Sequence, residues 1–323
     1  MRALVRLVIM DRVRPVGASA DFLERIAAVR ETRARLPEVA RNRLATRHRR
    51  ATVQHSGLLL LIAVDDPARG VLRVGDDPRA MADRSDLLHR LEIALSRPGV
   101  DGIIATADVV EDLLMLECLD DKVVIGSMNR GGLRGAVFEL DDRVTAYDVD
   151  SIAVSHLDGG KMRCRIDLAD PGTTATLEAC GKAITGLATR GLMALVEPSM
   201  SRRVEGEVVD DLSSVAVVTS AVVAAGLGAR SSYTWLRLPV IDALDEVMAA
   251  TTLPALVTGG DPFTAPDETH AAWRRALRVP GVRGMVVDRT LLYPPDGDVA
   301  ASLDAAVSLM HETDAAFVRE RDA

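Results

Sequence analysis

Lysine is nearly missing from this chain: of 39 basic residues only Lys122, Lys161 and Lys182 are lysines, and the other 36 are arginines. A guanidinium stays protonated, whereas a primary amine can be deprotonated and used as a nucleophile. Each lysine therefore calls for its own explanation beside codon bias. Cysteine is also sparse. Cys118, Cys164 and Cys180 are odd in number and lack CxxC spacing, which argues against a disulfide framework or a zinc knuckle and points to the reducing cytoplasm. Positive charge is in deficit: a formal net charge of −8 excludes a nucleic-acid partner, which needs a basic surface to displace phosphate counterions. No uninterrupted apolar run approaches the roughly 20 residues that cross a bilayer, and Arg2 and Arg6 break up the first ten residues, so no membrane partner and no targeting address is expected. No GxGxxG turn follows a predicted strand, which removes the main support for a dinucleotide fold and leaves no cofactor implied.

What is present is a chain of 323 residues, 48% of them hydrophobic, enough to bury a large core. Residues 1–55 read as an N-terminal helical extension. Ser19 can cap a helix with Phe22, Leu23, Ile26 and Val29 on its apolar side, and Pro37 suits the first turn of a second. That second helix runs into Arg41, Arg43, Arg47, His48, Arg49 and Arg50, which reads as a solvated or subunit-facing segment, leaving homo-oligomerisation open, or as an anion or partner site.

Residues 56–323 alternate short apolar runs with amphipathic stretches. The predicted strands are Leu58–Val64, Gly102–Thr106, Val123–Gly126, Lys161–Ile166, Leu192–Val196, Ser232–Leu238, Ala255–Thr258 and Gly284–Val287. Helices are expected over Asp86–Leu95 after Ser85, Asp148–Leu157, Thr174–Thr189, Leu212–Ala225, Ile241–Ala250, Asp267–Leu277 and Val299–Val318. This count of strand–helix units favours an α/β fold of the (β/α)8 TIM-barrel type. Alternation around Val137, Phe138, Leu140 and Val144 suggests a small hairpin over 136–147, able to act as a lid or contact surface.

The outward face of each barrel strand packs on helices and must be apolar, so charged residues at alternate positions belong inside. In the fourth strand Met162, Cys164 and Ile166 then face out, sending Lys161, Arg163, Arg165 and Asp167 inward. In the sixth, Tyr233, Trp235 and Arg237 face in; the first strand ends at Asp65 and the fifth at Glu197. Such groups either form a salt-bridge network closing the barrel or await a polar ligand, since burying them unpaired costs several kcal/mol each. Lys122 is expected at the opposite, stability face and Lys182 in solvent, which leaves Lys161 placed for chemistry. It is either an amine freed by Arg163 and Arg165 nearby or a structural ammonium held by Asp65 and Glu197. Asn129 and Arg130 after the third strand offer donors for a polyol or anion, and Gly259 and Gly260 after the seventh offer backbone amides or mere loop punctuation. No histidine falls at the C-terminal end of a strand, so no metal site is expected.

Four segments carry a family resemblance: Ala63-Val64-Asp65-Asp66-Pro67-Ala68-Arg69-Gly70, Gly160-Lys161-Met162, Leu195-Val196-Glu197-Pro198 and Ser232-Tyr233-Thr234-Trp235-Leu236-Arg237-Leu238-Pro239. In this order the chain resembles class I, Schiff-base aldolases of the tagatose-bisphosphate type, and more closely their actinobacterial relatives associated with inositol catabolism, over about residues 57–310. The resemblance implies a Schiff-base lysine on strand six, a second lysine on strand four, a proton-transferring Glu on strand five and an Asp on strand one. Lys161, Glu197 and Asp65 match three of these, while Arg237 stands where the strand-six lysine is expected. Asp66 replaces a histidine of the relatives, and Asp288, followed by Arg289, replaces the glycine of a phosphate-binding turn.

Three functions follow as expectations. The first is a lyase making or breaking a carbon–carbon bond in a sugar-derived ketone or aldehyde, with or without a phosphate. Lys161 is the imine-forming amine, on the strand where transaldolases carry theirs; Glu197 shuttles protons, Asp65 orients, and Arg237 with Arg163 holds an anionic group. Arg165, Asn129, Arg130, Tyr233, Trp235, Gly259, Gly260, Asp288 and Arg289 complete the candidate substrate contacts. The second is an isomerase, epimerase or dehydratase without an imine, in which Glu197 and Lys161 act as acid and base and Arg237 stabilises an enolate. The third is a degenerate barrel that binds a sugar acid or a partner protein.

Overall fold

In the computed structural model, which describes residues 18–53, 57–129, 132–258 and 266–321, the apolar runs line up as eight parallel strands closed into a barrel. In chain order the elements are α1 (Ala20–Arg35), α2 (Glu38–Thr46), β1 (Leu59–Ala63), α3 (Arg84–Ser96), β2 (Gly102–Ala105), α4 (Ala107–Met115), β3 (Val123–Ser127), α5 (Val149–Val154), β4 (Gly159–Ile166) and α6 (Gly172–Thr189). There follow β5 (Met193–Val204), β6 (Glu207–Asp210), α7 (Ser214–Ala225), β7 (Thr234–Pro239), α8 (Leu244–Ala249), β8 (Ala255–Thr258), α9 (Pro266–Ala276), β9 (Val282–Val287), α10 (Arg289–Leu292) and α11 (Val299–Arg321). The ring runs β4-β3-β2-β1-β9-β8-β7-β5 and is closed by β4 against β5, a pairing of eight residues from Gly159↔Met193 to Ile166↔Met200. This is a (β/α)8 TIM barrel, with β6 as an added strand. Among the described residues no helix is long and apolar enough to cross a membrane.

The alternation read from the sequence sets the layers. Met162, Cys164 and Ile166 of β4 face outward into the core shared with Cys180, Ala183, Ile184 and Leu187 of α6. Inside the barrel, Leu59, Leu61, Ile104, Val123, Ile125, Met193, Leu195, Leu256 and Val286 pack as an apolar plug, each fully buried side chain worth roughly 1.5–3 kcal/mol relative to exposure. Gly284, at φ +126°, lies where β9 meets β1, and a Cβ there would collide with the Leu59 carbonyl oxygen.

The N-terminal helices join the same core. Ser19 caps α1 by accepting the Phe22 amide at 3.1 Å, and Phe22, Ile26 and Val29 are buried. Arg33 of α1 reaches Asp112 of α4 at 2.7 Å. In the run after α2, His48 and Arg49 stay exposed, as a solvated segment would be, but its arginines tie down the N-terminal end of the barrel. Arg47 is closed to solvent, 3.1 Å from Asp158 and donating to the Lys122 carbonyl at 2.6 Å. Arg49 takes the other oxygen of Asp158 at 2.8 Å, and Arg50 pairs with Asp101 at 2.6 Å. Acids that precede β2 and β4 thus consume these arginines. Lys122 lies at this end too, its amine donating to the Val100 carbonyl, while Lys182 is exposed beside Glu178.

Four expectations are corrected. Residues 136–147 form a succession of turns and no hairpin: Leu140 and Tyr147 are anchored in the interior, while Val137 and Phe138 point outward. The hairpin of this structure is β5–β6 instead, with Val204↔Glu207 flanking Glu205 and Gly206, both at positive φ, as a two-residue turn requires. Helix α4 follows β2 where no helix was expected. Finally, Asp83 rather than Ser85 caps α3, accepting the amides of Ser85 and Asp86.

Candidate active site

Inward-facing positions change character one step toward the C-terminal end of the strands. Ala63 gives way to Asp65, Ile125 to Ser127, Leu195 to Glu197, Trp235 to Arg237, Leu256 to Thr258 and Val286 to Asp288. Each pair is two residues apart, so both members face the same way. An apolar floor therefore carries a polar storey, the place where TIM-barrel sites are built.

Above that storey lies a cavity of about 340 Å³. Its walls include Asp66, Glu197, Arg163, Arg237, Asp288 and Arg289, with Asp210 and Val208 contributed by β6. Lys161 lies beneath Glu197, behind the cavity wall. Its amine lies 2.6 Å from Oε2 of Glu197 and 3.1 Å from Oδ2 of Asp65, and its side chain is 2% exposed. The Ser127 hydroxyl donates to the same Asp65 oxygen at 2.7 Å. The sequence named these two carboxylates as partners of Lys161, and both lie against it.

Glu197 stands between the amine and the cavity. Arg237 Nη1 is 3.5 Å from it and Arg163 Nε 3.8 Å. Burial alone would push this carboxyl up; Arg237, Lys161 and Arg163 together outweigh it and hold the group well below the usual carboxylate range. Arg237 is anchored by donating to the Thr258 hydroxyl at 2.8 Å. Burial opposes the charge on Arg237 and on Arg163, but the facing carboxylates, Glu197 first, raise both above the ordinary guanidinium value.

Asp210 was not anticipated. Its carboxylate holds Arg163 at 3.0 Å while accepting from the hydroxyls of Ser199 and Ser201. The hairpin that delivers it was itself overlooked, and the Val204-Glu205-Gly206-Glu207 turn was the available signal. At the strand-eight corner Arg289 pairs with Asp66 at 2.6 Å. Asp288 accepts the Thr290 amide, and burial pushes its carboxyl up, with Arg237 pulling the other way.

Several named residues lie elsewhere or are otherwise engaged. Arg165 is buried among Asp142, Glu139 and the Glu139 carbonyl, forming one wall of the cavity with Arg69. Asn129 is consumed by backbone: its amide donates to the carbonyls of Asp142 and Arg163 and its oxygen accepts the Arg163 amide. Trp235 faces inward, as its parity requires, but in the apolar floor. Tyr233 precedes β7, 44% exposed at the N-terminal end of the barrel beside Gly191. Asp167 turns out of the barrel to accept the Ala169 amide. Arg130, Gly259 and Gly260 lie outside the described residues. Among the described residues no cluster of three or more His, Cys, Asp or Glu side chains is arranged to hold a metal ion.

Comparison with known proteins agrees with this architecture. Residues 57–307 match the family model described as Cgl0159-like. The crystal structure of Cgl0159 from Corynebacterium glutamicum (Brevibacterium flavum) is 51% identical, covering 90% of this chain and 97% of that one with a TM-score of 0.87. An archaeal fructose 1,6-bisphosphate aldolase, 16% identical, covers 84% of this chain and 99% of its own at a TM-score of 0.60. Fructose-bisphosphate aldolase from Slackia heliotrinireducens, 15% identical, covers 93% and 96% at 0.55. At these low identities the two aldolases share the barrel fold. No curated protein matches the chain.

Proposed function

Starting from the fact that this chain belongs to the Cgl0159-like family, we propose that it is an aldolase-like lyase acting on a sugar-derived carbonyl compound. The observation that carries the reading is the Asp65–Lys161–Glu197 triad, gathered from β1, β4 and β5 beneath a cavity walled by arginines. Of the three lysines, Lys122 lies at the far end of the barrel and Lys182 on its outer surface, so an imine at this cavity forms on Lys161.

The 2.6 Å contact gives the Lys161 proton a direct path to Glu197. Once that proton has passed through Glu197 to the cavity, the neutral amine is able to attack a carbonyl carbon there. The imine then draws electrons from the neighbouring carbon–carbon bond. Arg163 and Arg237, fixed by Asp210 and Thr258, are placed to hold a carboxylate or phosphate of the substrate. The likeness to the tagatose-bisphosphate type and to inositol-catabolism relatives supports a sugar-derived, anionic substrate.

One observation favours a second reading, proton transfer without an imine. Glu197 rather than Lys161 lines the cavity, and Arg237 occupies the strand-six position from which a guanidinium can hold an enolate oxygen. The test is turnover of a panel of phosphorylated and unphosphorylated aldol compounds by the wild type, Lys161→Met and Glu197→Gln. The lyase reading expects aldehyde release that Lys161→Met abolishes. Isomerised or dehydrated products without cleavage would replace it with the second reading, and absence of any turnover would remove both.

A further inference from the structure

Of the carboxyl groups that line the cavity, Glu197 and Asp288 both act on Arg237, and their surroundings differ in kind. Asp66, Glu139, Glu197 and Asp210 are each in an ion pair. Asp288, at the C-terminal end of β9, is in none among the described residues, and neither is the rim residue Asp211, whose oxygen is taken by the Ser213 amide. The arginine beside Asp288 in the chain is turned away to Asp66, and Arg237 makes its contacts within 4 Å to Glu197 and Thr258. Oδ1 of Asp288 accepts the Thr290 amide at 3.1 Å, and Oδ2 is in no hydrogen bond or ion pair among the described residues.

We infer that Asp288 is a further catalytic residue, the proton donor that meets the substrate's carbonyl oxygen from the strand-eight side while the Lys161–Glu197 pair works from below. This rests on the lyase reading above. As the Lys161 nitrogen bonds to the carbonyl carbon, the π pair of the C=O moves to oxygen and the Asp288 proton is transferred to it. The products are a carbinolamine with a new hydroxyl and a still-protonated, cationic Lys161 nitrogen, and an Asp288 carboxylate facing Arg237. The electrostatics agree with the division of labour. Burial and the neighbouring Asp66 favour the protonated form of Asp288, opposed by Arg237 and Arg289, whereas Glu197 is held ionised by three cations. Acids in one cavity whose environments push them apart take opposite roles in proton transfer.

The substitution Asp288→Asn separates this role from a structural one, because asparagine caps a helix as well as aspartate does and keeps the bond to Thr290. The wild-type kcat/KM should fall as pH rises through the Asp288 titration. In Asp288→Asn it should be about 10²–10³-fold lower on the acid side of that fall, lack the fall itself, and come with an unchanged melting temperature. Full activity in Asp288→Asn overturns the inference. Carbon-13 titration of aspartate carboxyls in the full chain needs no substrate and tests it separately. The resonance missing from Asp288→Asn should titrate above about 3.9, the ordinary aspartate value. Titration at or below that value contradicts the inference, whereas absence of turnover across the panel contradicts only the lyase reading.

Discussion

Arg289 pairs with Asp66 at 2.6 Å, across the seam where β9 meets β1, while its own neighbour Asp288 is in no ion pair among the described residues. Both partners are partly exposed, at 25% and 31% of the side chain, and pairs of that kind contribute at most about 1 kcal/mol. Replacing Arg289 by glutamine should therefore leave denaturant unfolding within about 1 kcal/mol of the wild type. Ligand affinity at the cavity should change instead, since Asp66 is released beside Asp288. A large loss of stability would show that the pair holds the seam together.

The opposite behaviour is expected at the other end of the barrel. Arg47 and Asp158 are closed to solvent, and removal of one partner strands a buried charge that Arg49 satisfies only in part. Arg47→Met should cost about 3 kcal/mol in denaturant unfolding while leaving ligand binding at the cavity unaltered. A loss well under about 1 kcal/mol would mean that the arginine run is ornamental to the fold.

Asn129 stands directly after a strand that leads to the site, yet its side chain makes three bonds to backbone groups. Asn129→Ala should reduce stability by about 2 kcal/mol through the stranded carbonyls and amide, with the melting temperature falling before KM changes. A selective rise in KM at wild-type stability would instead assign it to substrate.

Glu197 has a carboxyl held far below its ordinary value in the folded chain, so its contribution to stability is complete above the unfolded-state value of about 4.3 and is lost as pH falls through the lower folded one. Glu197→Gln should be less stable than the wild type at neutral pH, because Lys161, Arg163 and Arg237 lose a shared anion. The gap should narrow on acidification below pH about 4.3. Melting curves across that range check it; a constant difference at all pH values would contradict the assigned ionisation.

Much of this architecture was legible because barrel strands impose a strict rule: outward means apolar. That rule placed Lys161, Arg163, Arg165 and Arg237 inside from the neighbours Met162, Cys164, Leu236 and Leu238 alone. It could not say how high along the strand each residue sits. Trp235 and Arg237 share a face, but one step of the strand puts the first in the floor and the second in the cavity. Tyr233, one further step back, leaves the barrel altogether. The outer half of β5 escaped notice because Ser199, Ser201, Arg202 and Arg203 project above the barrel, where no packed layer enforces an apolar alternation. With it went Asp210, whose hold on Arg163 depends on strand pairing. The arginines after α2 looked solvated because their acids, Asp101 and Asp158, are distant in sequence and are brought together only by closure of the ring.

On the lyase reading, the amine beneath Glu197 is the reacting group of this barrel. Intact-mass measurement after borohydride reduction, with the aldol panel present, reads that claim most directly. One substrate-sized adduct is expected on the wild type, mapped to Lys161 and missing from Lys161→Met. A wild type that turns over a substrate of the panel yet remains unmodified, or an adduct on Lys122 or Lys182, would contradict it.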